Sequence, residues 1–97
     1  MIYATHIRMK PSYSFNLNNY QHNKLLEIDS IYLRGSYLNS WYKKEAVYDL
    51  VKSGNKIFVN IAPYPQLVTV QSTNGEKYVR STPNDNVTDN LLKLQTV

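Results

Sequence analysis

The chain has 97 residues, of which 42% are hydrophobic and 19% charged, and this size and balance are typical of one small folded domain. It contains no cysteine, which excludes a disulfide framework and thiolate metal sites and favours the reducing cytoplasm. Its net charge of +4 permits attraction to nucleic acid or to an acidic partner, and no apolar run is long enough to cross a membrane. We therefore expect a single cytoplasmic domain over residues 1–97.

The first strand is predicted at Ile2 to Met9. Strict alternation places its side chains on two faces, with Tyr3, Thr5, Ile7 and Met9 on one and Ile2, Ala4, His6 and Arg8 on the other. Pro11 then interrupts the strand, and a polar, Asn-rich loop follows from Ser12 to Asn23. Aromatic groups on such a loop resemble a binding surface, so the loop supplies the candidate contact residues Tyr13, Phe15, Tyr20 and His22.

A second extended region is predicted from Leu25 to Leu38, with Gly35 as its end or as a bulge. The helix is predicted from Ser40, as the N-cap, to Gly54, which closes the last turn in a left-handed conformation. Trp41 would pack from the helix start onto the sheet. The predicted apolar stripe consists of Tyr42, Ala46, Val47, Leu50 and Val51, and the more exposed line consists of Lys44, Tyr48 and Lys52.

Two further strand regions follow the helix. Lys56 to Ile61 reads as a strand, and the runs Leu67 to Gln71 and Lys77 to Ser81 around Asn74-Gly75 predict a hairpin with a type I′ turn. The order β-β-α-β-β-β indicates an α+β fold. We expect one antiparallel sheet of about five strands with one helix packed on one face.

The second half of the chain carries a family resemblance. Its signature is Trp41, Ala46-Val47, Gly54, Lys56-Ile57-Phe58-Val59, Tyr78-Val79-Arg80-Ser81 and Asp89-Asn90-Leu91-Leu92-Lys93-Leu94. Over Ser40 to Leu94 the chain resembles the small bacterial and phage family catalogued as domain of unknown function three-eight-nine-two. The Asn-rich loop looks like an insertion relative to that family. The resemblance implies a fold and a compartment but no established activity.

Catalytic and metal-binding patterns are weak in this chain. His6 and His22 would be needed for a two-histidine ribonuclease, but no motif joins them. Asn84-Asp85-Asn86 with Asp89 lacks the glycine and the distal glutamate of a calcium loop. The sequence therefore predicts no enzyme activity, no catalytic residue, no bound metal and no cofactor.

Three non-catalytic functions remain after this elimination. We expect a non-catalytic binding module that contacts a protein partner, or a second copy of itself, through the Tyr-rich loop and a sheet edge. The alternative is a nucleic-acid-binding protein that uses the helix face of Lys43, Lys44, Tyr48 and Lys52. A phage or mobile-element inhibitor of a host protein or nucleotide signal is a further possibility. Ile57 to Ile61 superficially resembles the aromatic strand of an RNA-recognition sheet, but its position and the missing glycines argue against that fold.

Overall fold

The computed structural model describes residues 1–11, 24–82 and 89–97. Within them the fold is α+β, as predicted, with one α-helix, a mixed sheet of five strands and a separate two-stranded hairpin. The elements in chain order are β1 Ile2–Met9, a 3-10 helix Lys24–Glu27, β2 Ile28–Arg34, β3 Asn39–Lys43, α1 Lys44–Lys52, β4 Ile57–Val59, β5 Leu67–Gln71, β6 Lys77–Ser81, a 3-10 helix Asn90–Lys93 and β7 Gln95–Thr96.

The main sheet is built around β1 and has the order β3-β2-β1-β4. β1 pairs antiparallel with β2, and β2 pairs antiparallel with β3. On its other side β1 runs parallel to β4 near its start and parallel to β7 at His6 and Ile7. The prediction of a purely antiparallel sheet was therefore wrong for β4 and β7, because both strands reach β1 by crossover connections rather than by tight turns.

A β-bulge divides β1 into two parts. Ala4 pairs with Leu33 and His6 pairs with Tyr32, so Thr5 is an extra residue without its own partner. As a result Ala4 and Ile7 are both buried although they are three residues apart. The predicted faces were therefore wrong beyond Thr5, since His6 and Arg8 now share a face with Tyr3 rather than with Ala4.

The helix begins at Lys44, four residues later than predicted. Ser40, Trp41 and Tyr42 belong to β3, where Trp41 pairs with Tyr32 and Tyr42 pairs with Ile31. Pairing with β2 satisfies the backbone of this segment and places aromatic side chains where strands favour them. Ser40 is thus not a cap, and the N-cap residue, Lys43, makes no side-chain capping bond.

The helix end agrees with the prediction. Gly54 has φ of 108° and donates its N–H to the carbonyl of Val51, while the N–H of Asn55 bonds to the carbonyl of Leu50. These two bonds form a Schellman motif, which needs a residue with positive φ after the last turn. Glycine adopts this conformation without a Cβ clash.

The buried face of α1 is rotated from the predicted stripe. Lys44, Val47 and Tyr48 are buried, whereas Ala46 is only half-buried. The prediction that Lys44 and Tyr48 lie on an exposed line was wrong, because the hairpin of β5 and β6 packs on this side of the helix. The sequence pattern alone did not reveal that second packing partner.

The hairpin forms over the predicted residues, but its turn differs from the predicted type. The loop is closed by Ser72 N–H to the Glu76 carbonyl and Gly75 N–H to the Ser72 carbonyl. Gly75 has φ of 85°, whereas Asn74 is not at positive φ, which excludes a type I′ turn. The arrangement is that of a three-residue loop with a left-handed glycine at its end.

The core lies between the main sheet, α1 and the hairpin. Its fully buried side chains include Ile7, Ile31, Leu33, Val47, Ile57, Val59, Leu67 and Val79. Leu91 from the last 3-10 helix and Leu94, which directly follows that helix, close the core. Asp89 fixes this helix, since its carboxylate accepts hydrogen bonds from the backbone N–H groups of Leu91 and Ser81.

An ion-pair cluster joins β1, α1 and the hairpin. The Lys44 ammonium lies 2.8 Å from Glu76 and 2.9 Å from Glu45, and Lys10 lies 2.9 Å from Glu76. Hydrogen bonds from Lys44 and then Lys10 lower the pKa of Glu76. Burial lowers the pKa of Lys44, but its hydrogen bonds to Glu76 and Glu45 outweigh burial and the net shift is upward. Lys44 is therefore a paired structural cation.

Candidate binding surface

The face of the main sheet opposite the core carries a row of aromatic and basic side chains. Side chains alternate between the two faces of a strand, and paired residues on neighbouring strands share a face. The residues that alternate with the buried ones therefore form this outer face: Tyr3, His6 and Arg8 from β1, Tyr32 and Arg34 from β2, Trp41 and Lys43 from β3, and Phe58 from β4. Most of its rings are half-buried, so their faces or edges meet solvent.

One aromatic cluster occupies the middle of the outer face. The ring of Tyr32 stands edge-on to Trp41 with centroids 5.4 Å apart, and edge-on to His6 at 6.2 Å. The guanidinium carbon of Arg8 lies 4.2 Å from the centroid of the Trp41 ring. Edge-to-face and cation–π contacts of this kind hold the rings in fixed orientations. This part of the face is therefore a preorganised platform.

A second aromatic cluster forms around the start of β1. The Tyr3 ring lies 6.2 Å from Phe58 and 6.2 Å from Tyr64. Tyr64 follows β4 and has φ of 61°, a left-handed conformation that is rare for a bulky residue. Its side chain is 50% exposed. Strained backbone that presents an exposed ring is a pattern associated with binding sites.

The charges on the outer face are predominantly positive. Arg8 and Arg34 are exposed. The nearby acid, Asp29, accepts hydrogen bonds from the Ser30 hydroxyl and the Lys43 ammonium, which lower the pKa of its carboxyl. Because Lys43 neutralises Asp29, the two arginines are left to set the local potential.

The predicted helix-face residues do not form one exposed surface. Lys43 lies in β3 and pairs with Asp29 at 3.0 Å, while Lys44 is 2% exposed and Tyr48 is 6% exposed. Lys52 is exposed, with its ammonium 5.6 Å from the Tyr48 ring centroid. Tyr48 therefore has no free face on which a base can stack, and Lys43 and Lys44 are already paired with acids.

The other four predicted site residues come from the Asn-rich loop. Tyr13, Phe15, Tyr20 and His22 lie outside the residues that the structure describes. His6 lies on the outer face, where its Nδ1 is 2.9 Å from the Thr5 hydroxyl. Among the described residues no three metal-ligating side chains come together. A shallow groove of about 260 Å³ lies beside α1, lined by Tyr42, Ala46, Asp49, Leu50 and Ser53.

Sequence reasoning missed the outer face as a candidate surface. The sequence shows Tyr3, Tyr32 and Trp41 as single aromatic residues, but it did not reveal the bulge at Thr5 or the late start of the helix. Without these two features the residues were predicted to lie in different places. One signal was available. Arg8 and Tyr32 stand between aliphatic residues in their strands, and such alternation is typical of a strand with one face in the core and the other open.

The fold and this face define a small α+β domain with an open aromatic sheet surface. The family described as "protein of unknown function (DUF3892)" matches residues 20–95, and the chain belongs to it. This match is wider than the resemblance over Ser40 to Leu94, because it also takes in the first 3-10 helix and β2. No curated protein and no solved structure matches the chain. Within the described residues, no helix has the length and apolar character needed to span a membrane.

Proposed function

We propose that this protein is a non-catalytic binding module that holds single-stranded nucleic acid on the outer face of its main sheet. The observation that carries the proposal is the cluster of Arg8, Trp41 and Tyr32, in which a cation and two rings are fixed on an open sheet surface. Single strands bind to such surfaces through stacking of bases on aromatic rings and through cations along the backbone.

The geometry suits a single strand better than a duplex. Every base has a flat π-face, so half-buried rings on a sheet accept bases of any sequence once these are unstacked from a partner strand. Arg8 and Arg34 stand on the same face and supply positive charge for phosphates. Tyr64 extends the aromatic surface past the edge of β4.

The nucleic-acid-binding surface that we propose is the outer face of the sheet and not the helix face that the sequence predicts. On α1 Lys44 is paired with acids and Tyr48 is buried, whereas Arg8 on the sheet and Tyr64 beside it remain exposed. The absence of cysteine from the sequence supports a cytoplasmic location, where such ligands occur. We also propose that the protein is of bacterial or phage origin, which rests on the family resemblance.

The test is a titration of 5′-fluorescein-labelled dT and U oligonucleotides of twenty nucleotides, followed by fluorescence anisotropy. We expect binding at 50 mM salt and a loss of about tenfold in affinity at 200 mM salt, because two to three phosphates are neutralised. A duplex of the same length should bind more weakly than either single strand. No anisotropy change at 50 mM salt with excess protein would overturn the proposal.

A protein partner is the second candidate, including a host protein that a phage-encoded inhibitor would target. The specific observation in its favour is the outer edge of β3. In the part of the chain that the structure describes, no strand pairs with this edge. Exposed strand edges accept a further strand from another chain.

A further inference from the structure

The unpaired edge of β3 is a second feature of the main sheet, distinct from the outer face. β3 is the border strand of the main sheet, and among residues 1–11, 24–82 and 89–97 it pairs only with β2. Alternate residues of β3 therefore leave backbone N–H and C=O groups directed away from the sheet. Its five residues, Asn39 to Lys43, include no proline and no glycine. Lys43 is the one charged residue among them.

Half-buried apolar side chains flank this edge on both faces of the sheet. On the outer face stands Trp41, and on the inner face stands Tyr42, which lines the groove of about 260 Å³ with Ala46 and Leu50 of α1. An added strand would cover the unpaired backbone, the side of Trp41 and the groove together. The three features thus point to one occupant that has a comparable edge.

We propose that a second copy of this chain pairs antiparallel along the edge of β3, with a two-fold axis at Trp41. In this register the two Trp41 residues face each other, and Tyr42 lies opposite the partner's Ser40, so that a large side chain meets a small one. Lys43, which carries the only charge of β3, lies opposite the partner's Asn39 and not opposite another cation. The two five-stranded sheets become one continuous sheet.

Self-complementarity is the reason to commit to a second copy. A two-fold contact uses the same patch on both chains, so each residue pair occurs twice. A two-fold axis at Lys43 would instead bring two ammonium groups together, which is unfavourable for directly opposed strand residues. The register at Trp41 avoids this repulsion while pairing the aromatic residues.

The test measures mass by light scattering from about 10 μM to about 1 mM protein, without nucleic acid, so its outcome is independent of the proposed function. We expect the weight-average mass to rise from 11.3 kDa toward twice that value. Asn39→Glu places a carboxylate opposite each Lys43 of the partner and should tighten the dimer. Asn39→Lys places like charges there and should weaken it, with dissociation constants about tenfold apart.

The two variants are a matched pair because both replace the same exposed side chain. Each removes the Asn39 Oδ1 that accepts a hydrogen bond from the Tyr32 hydroxyl, although the Glu carboxylate can accept a hydrogen bond in its place and the Lys ammonium cannot. Circular dichroism melting should show that both are folded. A monomer over the whole concentration range, or dimers that respond equally to the two charges, would overturn the proposal.

Discussion

The guanidinium carbon of Arg8 lies 4.2 Å from the centroid of the Trp41 ring, although β1 and β3 are not neighbours in the sheet. β2 separates the two strands, and its residue Ser30 pairs with Arg8 on one side and with Lys43 on the other. Ser30 is small and 4% exposed, which leaves room above it for the longer side chains. The contact therefore ties three strands together on the outer face.

Replacing Arg8 with Gln should weaken single-strand binding. The change removes a cation from the outer face, so the dependence of log affinity on log salt should become shallower by about 0.7, the share of one phosphate contact. The measurement is the anisotropy titration at several salt concentrations. Lys52→Gln is the control, because it makes the same change in net charge at the end of α1. Equal losses in both variants would show that only overall charge matters.

Replacing Tyr64 with Asn should lower affinity through the loss of a stacking ring. Asn tolerates the left-handed backbone at this position, so the ring is removed without adding strain. One stacked base is worth about 1–3 kcal/mol, which corresponds to at least about fivefold in the dissociation constant. Tyr37→Asn is the matched control, since Tyr37 is 97% exposed in the turn between β2 and β3. A larger effect at Tyr37 would contradict the assignment of the surface.

Glu76 should make stability depend on pH in the acid range. Its pKa is held below the ordinary value of 4.5 by Lys44 and Lys10, so its stabilising contribution is present above that value. The contribution is lost as the pH falls through the lowered folded-state pKa. Denaturant titrations between about pH 6 and about pH 3 should therefore show a steeper loss of unfolding free energy in the wild type than in Glu76→Gln.

At neutral pH Glu76→Gln should cost about 1–2 kcal/mol, a value reduced from that of a buried pair because the Glu76 side chain is partly exposed. The variant leaves the buried ammonium of Lys44 with Glu45 as its remaining carboxylate. Asp49→Asn is the control, because it breaks an exposed pair with Lys77. That change should alter unfolding free energy by less than about 1 kcal/mol. The same cost in both variants would argue against the buried cluster.

The hairpin turn can be tested with two alanine substitutions. Gly75 has φ of 85°, and the nearest atom to an added Cβ is 3.8 Å away, so Gly75→Ala should cost about 1–2 kcal/mol through backbone strain alone. Asn74→Ala should change stability by less than about 0.5 kcal/mol, because Asn74 is not at positive φ. Comparable losses of stability at both positions would contradict this turn and favour the type I′ turn that the sequence predicts.

Much of the fold was predictable because local rules and packing agree there. The limits of β1, the two hairpin strands and the turn at Gly54 follow from alternation and from glycine at the required position. The helix start was not predictable in the same way. Ser40 satisfies the rule for an N-cap, but Trp41 and Tyr42 pair with β2 as a strand instead of starting a helix. Tertiary pairing thus decided between strand and helix.

The candidate surface was less predictable than the fold. Its formation depends on the bulge at Thr5, and threonine is an ordinary strand residue that carries no bulge signal. It also depends on the crossover that sets β4 parallel to β1 and brings Phe58 beside Tyr3. Local spacing in the sequence predicts neither the bulge nor the crossover, because each arises from contacts between residues that are far apart in the chain.

The most direct test of the outer face uses the intrinsic fluorescence of Trp41, the single tryptophan of the chain. An unlabelled dT oligonucleotide of twenty nucleotides is added at 50 mM salt, and the emission is followed in the wild type, Arg8→Gln and Lys52→Gln. We expect saturable quenching in the wild type and in Lys52→Gln, with a weaker midpoint in Arg8→Gln, because a base stacks beside Trp41. Binding by anisotropy without any change in Trp41 emission would contradict the account.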